Sequence, residues 1–369
     1  MPTGYTPIYK IMKGGDDITA RFNDRTIDIK VELVAGGGDT DKCTIKVDDR
    51  DWKIATPTTG DYLEIYMGYE EVGLAYLGSY EVDDIIYSGP PRTIQLVCLA
   101  TGAKSILKAP TIKNFDNKSV GDILGGIAGK AGLGLAISPE LAGKKLPFKN
   151  QIVSPNHLIH ELERMFGAVG KVADGKLTFT PRDGLESVTG QSLPTLILWP
   201  EHFGEWQVRH TSRTQYGKVR AAYHDKTSHV RKWVESAASG ESPSNQGLES
   251  FAIGQLFNSK EEAEAAAASR MKALKRGEVT ASFTLAKGDP WIRDQQSLLV
   301  NGMRDGIDGS YVVEKAIHTY VKRTGIKSTL ECKSPGTGDN FADRATEDFL
   351  TTEPGQLMGE ALRDGIAPL

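Results

Sequence analysis

Gly125-Gly-Ile-Ala-Gly-Lys-Ala131 has the glycine and lysine content of a phosphate-binding loop, whose backbone amides would cradle an anion. The spacing fails. Three residues separate Gly125 from Gly129 where four are needed, and Ala131 stands where a hydroxyl would hold magnesium. The surrounding pattern is helical, so these glycines are expected to serve close helix packing. His157-Leu-Ile-His160-Glu161 sets two imidazoles at i and i+3 beside a carboxylate, part of a metal-ligand set. The HExxH order is absent and no third ligand can be named. With Arg164 the group reads as a polar helix face. Cys43, Cys98 and Cys332 are odd in number and far apart, with no CxxC spacing. That excludes zinc-ribbon and thioredoxin-like readings, disfavours a disulfide scaffold and makes a reducing compartment the expectation.

Asp48-Asp49-x-Asp51 and Asp83-Asp84 offer carboxylate pairs of the kind glycoside hydrolysis uses. Successive residues of a strand point to opposite faces, so Asp83 and Asp84 are not expected to share a cleft. Acids at turns and sheet edges serve solubility and edge protection. There is neither a GxSxG elbow nor a protease-type cysteine signature. Bases alternate with aromatics in Trp206, Arg209, Arg213, Tyr216, Lys218 and Arg220, and again in His224, Lys226, Arg231, Lys232 and Trp233. Such a ladder could track phosphates. More often it is the outer face of a sheet, or a mildly charged channel wall that nucleic acid crosses without tight binding. With 44 Lys+Arg against 48 Asp+Glu the net charge is −4, so the whole chain exerts no pull on nucleic acid. No catalytic, cofactor-binding or metal residue is therefore assigned.

The elements that would carry these residues are mostly strands. Thr26-IDIKVEL-Val34 alternates Ile27, Ile29, Val31 and Leu33 with polar partners, the period of a half-buried strand. Tyr62–Met67 and Pro91–Ala100 repeat it. At residue 119 the period changes: Val120, Ile123, Leu124, Ile127, Ala128 and Ala131 share one helix face, with Ser119 and Asp122 as a capping pair. A second helix is predicted from Ser154, with Pro155 in its first turn and Leu158, Ile159, Leu162, Met165 and Phe166 as its stripe. Ala168–Thr180 reads as a hairpin turning at Asp174-Gly175. Gly217–His224 and Ser228–Ser236 read as a strand pair. An Ala-rich helix follows over 260–276, capped by Ser259 and Glu262 and holding six alanines. The longest apolar runs, Leu196–Trp199 and Leu298–Val300, are far short of the ~20 residues that cross a bilayer, and no signal peptide is read.

An internal repeat is the most informative feature. Gly78-SYEVDDIIYSGPPRTIQLVCLA runs alongside Gly309-SYVVEKAIHTYVKRTGIKSTLEC. Both open Gly-Ser-Tyr-x-Val, turn, and finish on an alternating strand holding Cys98 or Cys332. Each follows a similar strand, Leu63–Tyr69 or Leu298–Met303. The expectation is an α+β, mainly β chain: a first β-barrel over 1–104, an α/β insert over 105–205, a second barrel over 206–335 that includes helix 260–276, and an extended tail over 336–369.

Asp41-KCTIKVDDRDWKIATPTTGDYLEIYMGY, Thr111-IKNFDNKSVGDILGGIAGKAGLGLAISPELAG, Asn258-SKEEAEAAAASRMKALKRGEVTASFTLAKGDPWI and the Gly309 segment occur in an order that resembles the phage late-control protein D family. Those are the hub proteins of contractile tails, related to the hub part of type VI secretion spikes. The resemblance covers about residues 10–335. It implies tube-protein-like barrels and a homotrimer of six similar units seating a sixfold tail tube against a threefold spike. It also implies contacts with other baseplate proteins, a channel passing DNA or effector, synthesis in the host cytoplasm, a place in the virion baseplate, and no stable membrane association. The alternative from another class is a tail-associated cell-wall hydrolase or glycan-binding module. In the tail, Leu357, Met358 and Leu362 are expected to form a partner-docking helix.

Overall fold

The computed structural model describes residues 5–22, 24–36, 39–54, 58–100, 107, 109–182, 195–211, 216–225, 227–237 and 250–335. The tail 336–369, with Leu357, Met358 and Leu362, lies outside them, as do Arg213 and Lys226. The chain is mainly β. The first lobe holds β1 (Pro7–Lys13), β2 (Asp16–Asp17), β3 (Thr26–Val34), β4 (Lys42–Asp48), β5 (Tyr62–Tyr69), β6 (Gly73–Ser88) and β7 (Thr93–Ala100). The insert holds β8 (Lys113–Ser119), α1 (Val120–Ala131), β9 (Gly134–Ile137), α2 (Pro139–Ala142), β10 (Lys145–Gln151), α3 (Pro155–Phe166), β11 (Ala168–Ala173) and β12 (Lys176–Pro181). Then come β13 (Leu196–Leu198), β14 (Phe203–His210), β15 (Lys218–Asp225), β16 (Val230–Ala237), β17 (Ser250–Phe257), α4 (Lys260–Arg276), β18 (Val279–Leu285), β19 (Ser297–Val300), β20 (Gly309–Val321) and β21 (Gly325–Lys333).

Local chemistry explains the elements. Both sides of the Ser119–Asp122 capping box are made, and α1 ends on Gly132 in the left-handed region. Ser154 accepts the His157 N–H, Pro155 opens α3, and left-handed Gly167 closes it. The β11–β12 hairpin turns at Asp174 (φ +48°) and Gly175 (φ +72°), the positive pair that its two-residue turn requires. Close packing accounts for Gly121, where a Cβ would lie 3.2 Å from the Ala142 carbonyl oxygen, but not for Gly129, which has open space.

Among the described residues thirteen strands form one sheet in the order β14-β18-β21-β20-β3-β4-β7-β6-β5-β1-β2, with β19 on β20 and β13 on β19. Within it the repeat holds residue by residue. Leu63 faces Tyr80 as Leu298 faces Tyr311, and Val82 faces Cys98 as Val313 faces Cys332. The β6–β7 register shifts between Val82 and Asp84, and the β20–β21 register between Val313 and Lys315, the same offset from Gly78 and Gly309. The likeness extends beyond the segments that announced it. The β3–β4 register shifts between Thr26 and Asp28, and the β14–β18 register between Phe203 and Glu205. Ile29 faces Ile45 and Trp206 faces Phe283; those partners face Leu96 and Leu330 in turn. Thus β3, β4, β7, β6, β5 and β1 recur in space as β14, β18, β21, β20, β19 and β13. One difference is direction: β1 is antiparallel to β5, whereas β13 is parallel to β19.

Core membership departs from the sequence-drawn boundaries. One cluster joins both lobes, from Ile11, Ile29 and Leu63 to Phe283, Val313 and Leu330. The other joins the insert to Val219, Ala221, Phe257, Ala263, Ala267 and Met271. The strands β15–β17 and α4 interrupt the second lobe between β14 and β18, where the first lobe has only residues 35–41, and they pack with the insert. The Ala-rich helix 260–276 therefore belongs with the insert's core rather than with the second lobe. Its short side chains let it lie closely on α3, β15 and β16.

Candidate functional site

The chemistry-bearing residues are dispersed and mostly engaged in ion pairs. On α3, His160 Nδ1 is 2.7 Å from Glu163 Oε2, and Glu163 Oε1 accepts the Gly170 N–H at 2.5 Å. Glu161 pairs with Lys149, and His157 is exposed. The polar face of α3 is thus partly structural: Glu163 is buried and ties the helix to β11. Among the described residues no three His, Cys, Asp or Glu side chains converge as metal ligands. A groove of about 750 Å³ runs between α3, α4 and β17, lined by Arg164, Arg270, Arg276, Glu161 and Glu163. Its two carboxylates are the ones just described.

The acid pairs are also divided. Asp51 makes a bidentate pair with Arg25, which holds its carboxyl down at about 2, and Asp48 pairs with Arg50 at 2.9 Å. Asp83 occupies the bulge of β6 and Asp84 follows on its exposed half. The bulge alters the simple alternation expected there, because the extra residue resets which side faces the core. The basic–aromatic ladder separates into two sheets. Trp206 and Arg209 lie on β14 of the main sheet; Lys218, Arg220, His224, Arg231, Lys232 and Trp233 lie on β15 and β16. There Arg220 and Arg231 stand over the Trp233 ring at 5.5 and 4.3 Å. Lys218 and Arg220 pair with Glu235 at 3.5 and 3.0 Å, and Lys232 pairs with Asp225. Local acids thus neutralise much of the ladder. All three cysteines are buried and free, and burial pushes their thiols up, Cys98 to about 12.

Two arrangements were not foreseen from sequence. Lys171 on β11 sits 2.8 Å from both Asp41 of the first lobe and Asp294 of the second, so one ammonium clips insert and lobes together. Burial, opposed by Lys171 and reinforced by Asp294, pushes Asp41 up to about 6. The other is the junction of the lobes. The outer half of β20, Lys315–Val321, pairs antiparallel with β3, and Lys315 and Glu32 form an ion pair across the seam. By contrast β14, the counterpart of β3, ends the sheet path with an exposed edge, and the outer half of β6 pairs with β7 alone among the described residues. Ile86, Tyr87 and Trp206 are 44%, 62% and 49% exposed along these two edges. Beside that groove, the sheet leaves a pair of open strand edges among the described residues.

The fold of this chain matches those of solved phage tail proteins. The chain superposes on the 43 kDa tail protein of prophage MuSo2 from Shewanella oneidensis, with TM-score 0.63 and 14% identity over 90% of this chain and 100% of that one. It also superposes on an Escherichia coli component of the type VI secretion system described as similar to phage T4 tail proteins, with TM-score 0.55 and 7% identity over 88% and 76% of the two chains. In sequence it is 25% identical over 361 residues to the "Probable baseplate hub protein" of Escherichia phage P2, covering 88% of this chain and 92% of that protein. It is 22% identical over 364 residues to the protein of the same name from Escherichia phage 186, covering 89% and 93%. No family model matches. The resemblance to contractile-tail hub proteins is borne out, and none of these relatives is named as an enzyme.

Proposed function

We propose that this chain is the structural hub of a contractile phage tail or tail-like injection particle. Three copies form a pseudo-sixfold ring that joins the tail tube to the central spike and lets DNA or effector pass. The observation that carries this reading is the six-strand lobe repeated with the same registers and bulges. A threefold assembly of a twofold-repeated chain offers six near-equivalent lobes, which is what a joint between sixfold and threefold symmetry needs. Its partners are further copies of itself, the tube protein, the spike and other baseplate proteins. It is made in the host cytoplasm and resides in the virion baseplate. Among the described residues no helix is long and apolar enough to cross a membrane.

Native mass spectrometry of the purified chain, alone and with the spike, tests the assembly. Three copies are expected; a stable dimer or tetramer in the presence of the spike overturns the ring. The role is structural rather than catalytic, and sustained turnover of peptidoglycan by the pure protein would overturn that part. Residues 336–369 are proposed to dock a neighbouring baseplate protein through Leu357, Met358 and Leu362. Deleting 340–369 is expected to leave the trimer intact and weaken that partner's binding, read by pull-down from assembled baseplates. Unchanged binding removes the docking role.

A further inference from the structure

The seam between the two lobes joins strands whose counterparts in the repeat lie on open edges. Inside one chain, the outer half of β20 pairs with β3: Lys315 faces Val34, Ala316 faces Leu33, Ile317 faces Glu32, His318 faces Val31 and Thr319 faces Lys30. The repeat maps β20 onto β6 and β3 onto β14 without ambiguity, because the strand registers and bulges coincide in both lobes. The lobes thus present a second set of the same edges, with no partner among the described residues. We propose that the outer half of β6 in one protomer adds antiparallel to β14 of the next protomer, in the register that the internal seam dictates. Asp84 then faces Thr211, Ile85 faces His210, Ile86 faces Arg209, Tyr87 faces Val208 and Ser88 faces Gln207 of the neighbour.

Charge supports this register independently. At the internal seam Lys315 of β20 pairs diagonally with Glu32 of β3. The mapped residues are Asp84 and Arg209, so the same diagonal carries the same complementarity with its signs exchanged. Both residues are exposed in the single chain. Apolar surface agrees as well. Val208 and Ile85 already lie against the shared core, and the exposed Tyr87 and Trp206 sit on the edges that the added strands would cover. Two open strand edges on one molecule are an aggregation hazard unless each is paired. A head-to-tail contact of this kind generates a closed ring when the rotation per copy closes. The inference rests on the trimeric reading above and supplies its contact residues.

The test is a register-specific cross-link in the full-length chain. Directly opposed strand residues have Cβ atoms about 4.5–5.5 Å apart, close enough for a disulfide after small adjustment. The double variant Ile86→Cys, Arg209→Cys is expected to give covalent dimers and trimers on oxidation. Each single variant, and the off-register pair Ile86→Cys, Gln207→Cys, should give none. In parallel, Asp84→Arg is expected to abolish the trimer peak in sedimentation velocity, and Asp84→Arg with Arg209→Asp to restore it. Retained secondary structure by circular dichroism separates loss of assembly from loss of folding. A wild-type trimer that neither cross-links nor responds to Asp84→Arg overturns the strand pairing and leaves the ring standing. A wild-type chain that never trimerises, with or without the spike, overturns both.

Discussion

Lys171 shows how a single side chain can hold three parts of a chain together. Its ammonium stays charged because Asp41 and Asp294 flank it, although burial works against the charge. Removing it leaves two enclosed carboxylates facing each other. Lys171→Met is expected to destabilise the protein by about 3–5 kcal/mol, read from urea unfolding at pH 7. His318 is the second decisive residue. It is wholly buried where β20 meets β3, its Nδ1 lies 2.8 Å from Ser328 Oγ, and its Nε2 lies 2.9 Å from the Ile292 carbonyl. A neutral ring fits both partners: Nε2–H donates to the carbonyl, and Nδ1 accepts the Ser328 hydroxyl proton. Burial lowers its pKa from 6.5 to about 4. The unfolded chain therefore binds a proton below pH 6.5 that the folded chain refuses, and stability is lost as pH falls from 6.5 towards 4. Asp41 acts in the opposite sense: with its pKa raised to about 6, the folded chain holds a proton that the unfolded chain gives up, so this contribution weakens as pH rises towards 6. His318→Asn should therefore reduce the loss of stability between pH 7 and pH 4.5 by about 2 kcal/mol relative to wild type. An unchanged slope would mean that the histidine is not buried neutral.

At the scale of elements, much was legible because the period of apolar residues reports directly on strand or helix. The α1 and α3 stripes, their serine caps and the Asp174-Gly175 hairpin all follow from side-chain chemistry within a few residues. The bulges do not, because an extra strand residue is defined only by its partner across the ladder. Ile27 illustrates this. Strict alternation puts it in the core beside Ile29 and Val31, but the register shift at that point leaves it half-buried and turns Thr26 inward, where the Thr26 hydroxyl meets the Tyr9 hydroxyl at 2.9 Å. The place of α4 was likewise hidden: an alanine stripe states that the helix packs closely, not against what. The repeated glycines were visible, and their purpose is now physical. Gly78 and Gly309 adopt φ +133° and +149° within their strands, a region unfavourable to residues with a Cβ. Two residues on, the Tyr80 and Tyr311 hydroxyls donate to the Leu77 and Ile307 carbonyls. Gly78→Ala and Gly309→Ala are each expected to cost about 1–3 kcal/mol, with the larger cost at Gly78, where a Cβ would lie 3.1 Å from the Tyr80 hydroxyl oxygen whereas Gly309 has open space, measured by chemical denaturation. A larger cost at Gly309 would overturn that ranking.

At the scale of the molecule, the open edges were beyond the reach of sequence because an edge is a property of the whole sheet. The pairing of β20 with β3 joins elements that are hundreds of residues apart, and periodicity carries no information about which strands meet. That pairing also fixes how the chain should unfold. Both lobes share one hydrophobic cluster and one sheet, whereas the insert with β15–β17 and α4 has a cluster of its own. The lobes should therefore open together, and the insert can open on its own account. Ala316 is fully buried on β20 opposite Leu33. Replacing it with Asp places an unpaired carboxylate in the shared cluster, costing several kcal/mol in that unit. Native-state hydrogen exchange on Ala316→Asp should then show loss of protection in β3 and β4 as large as that in β20 and β21. Protection in α1 and α3 should fall less. Were β3 to keep its protection while β21 lost it, the lobes would be separate folding units, and the internal seam would be too weak a contact to serve as the pattern for a ring.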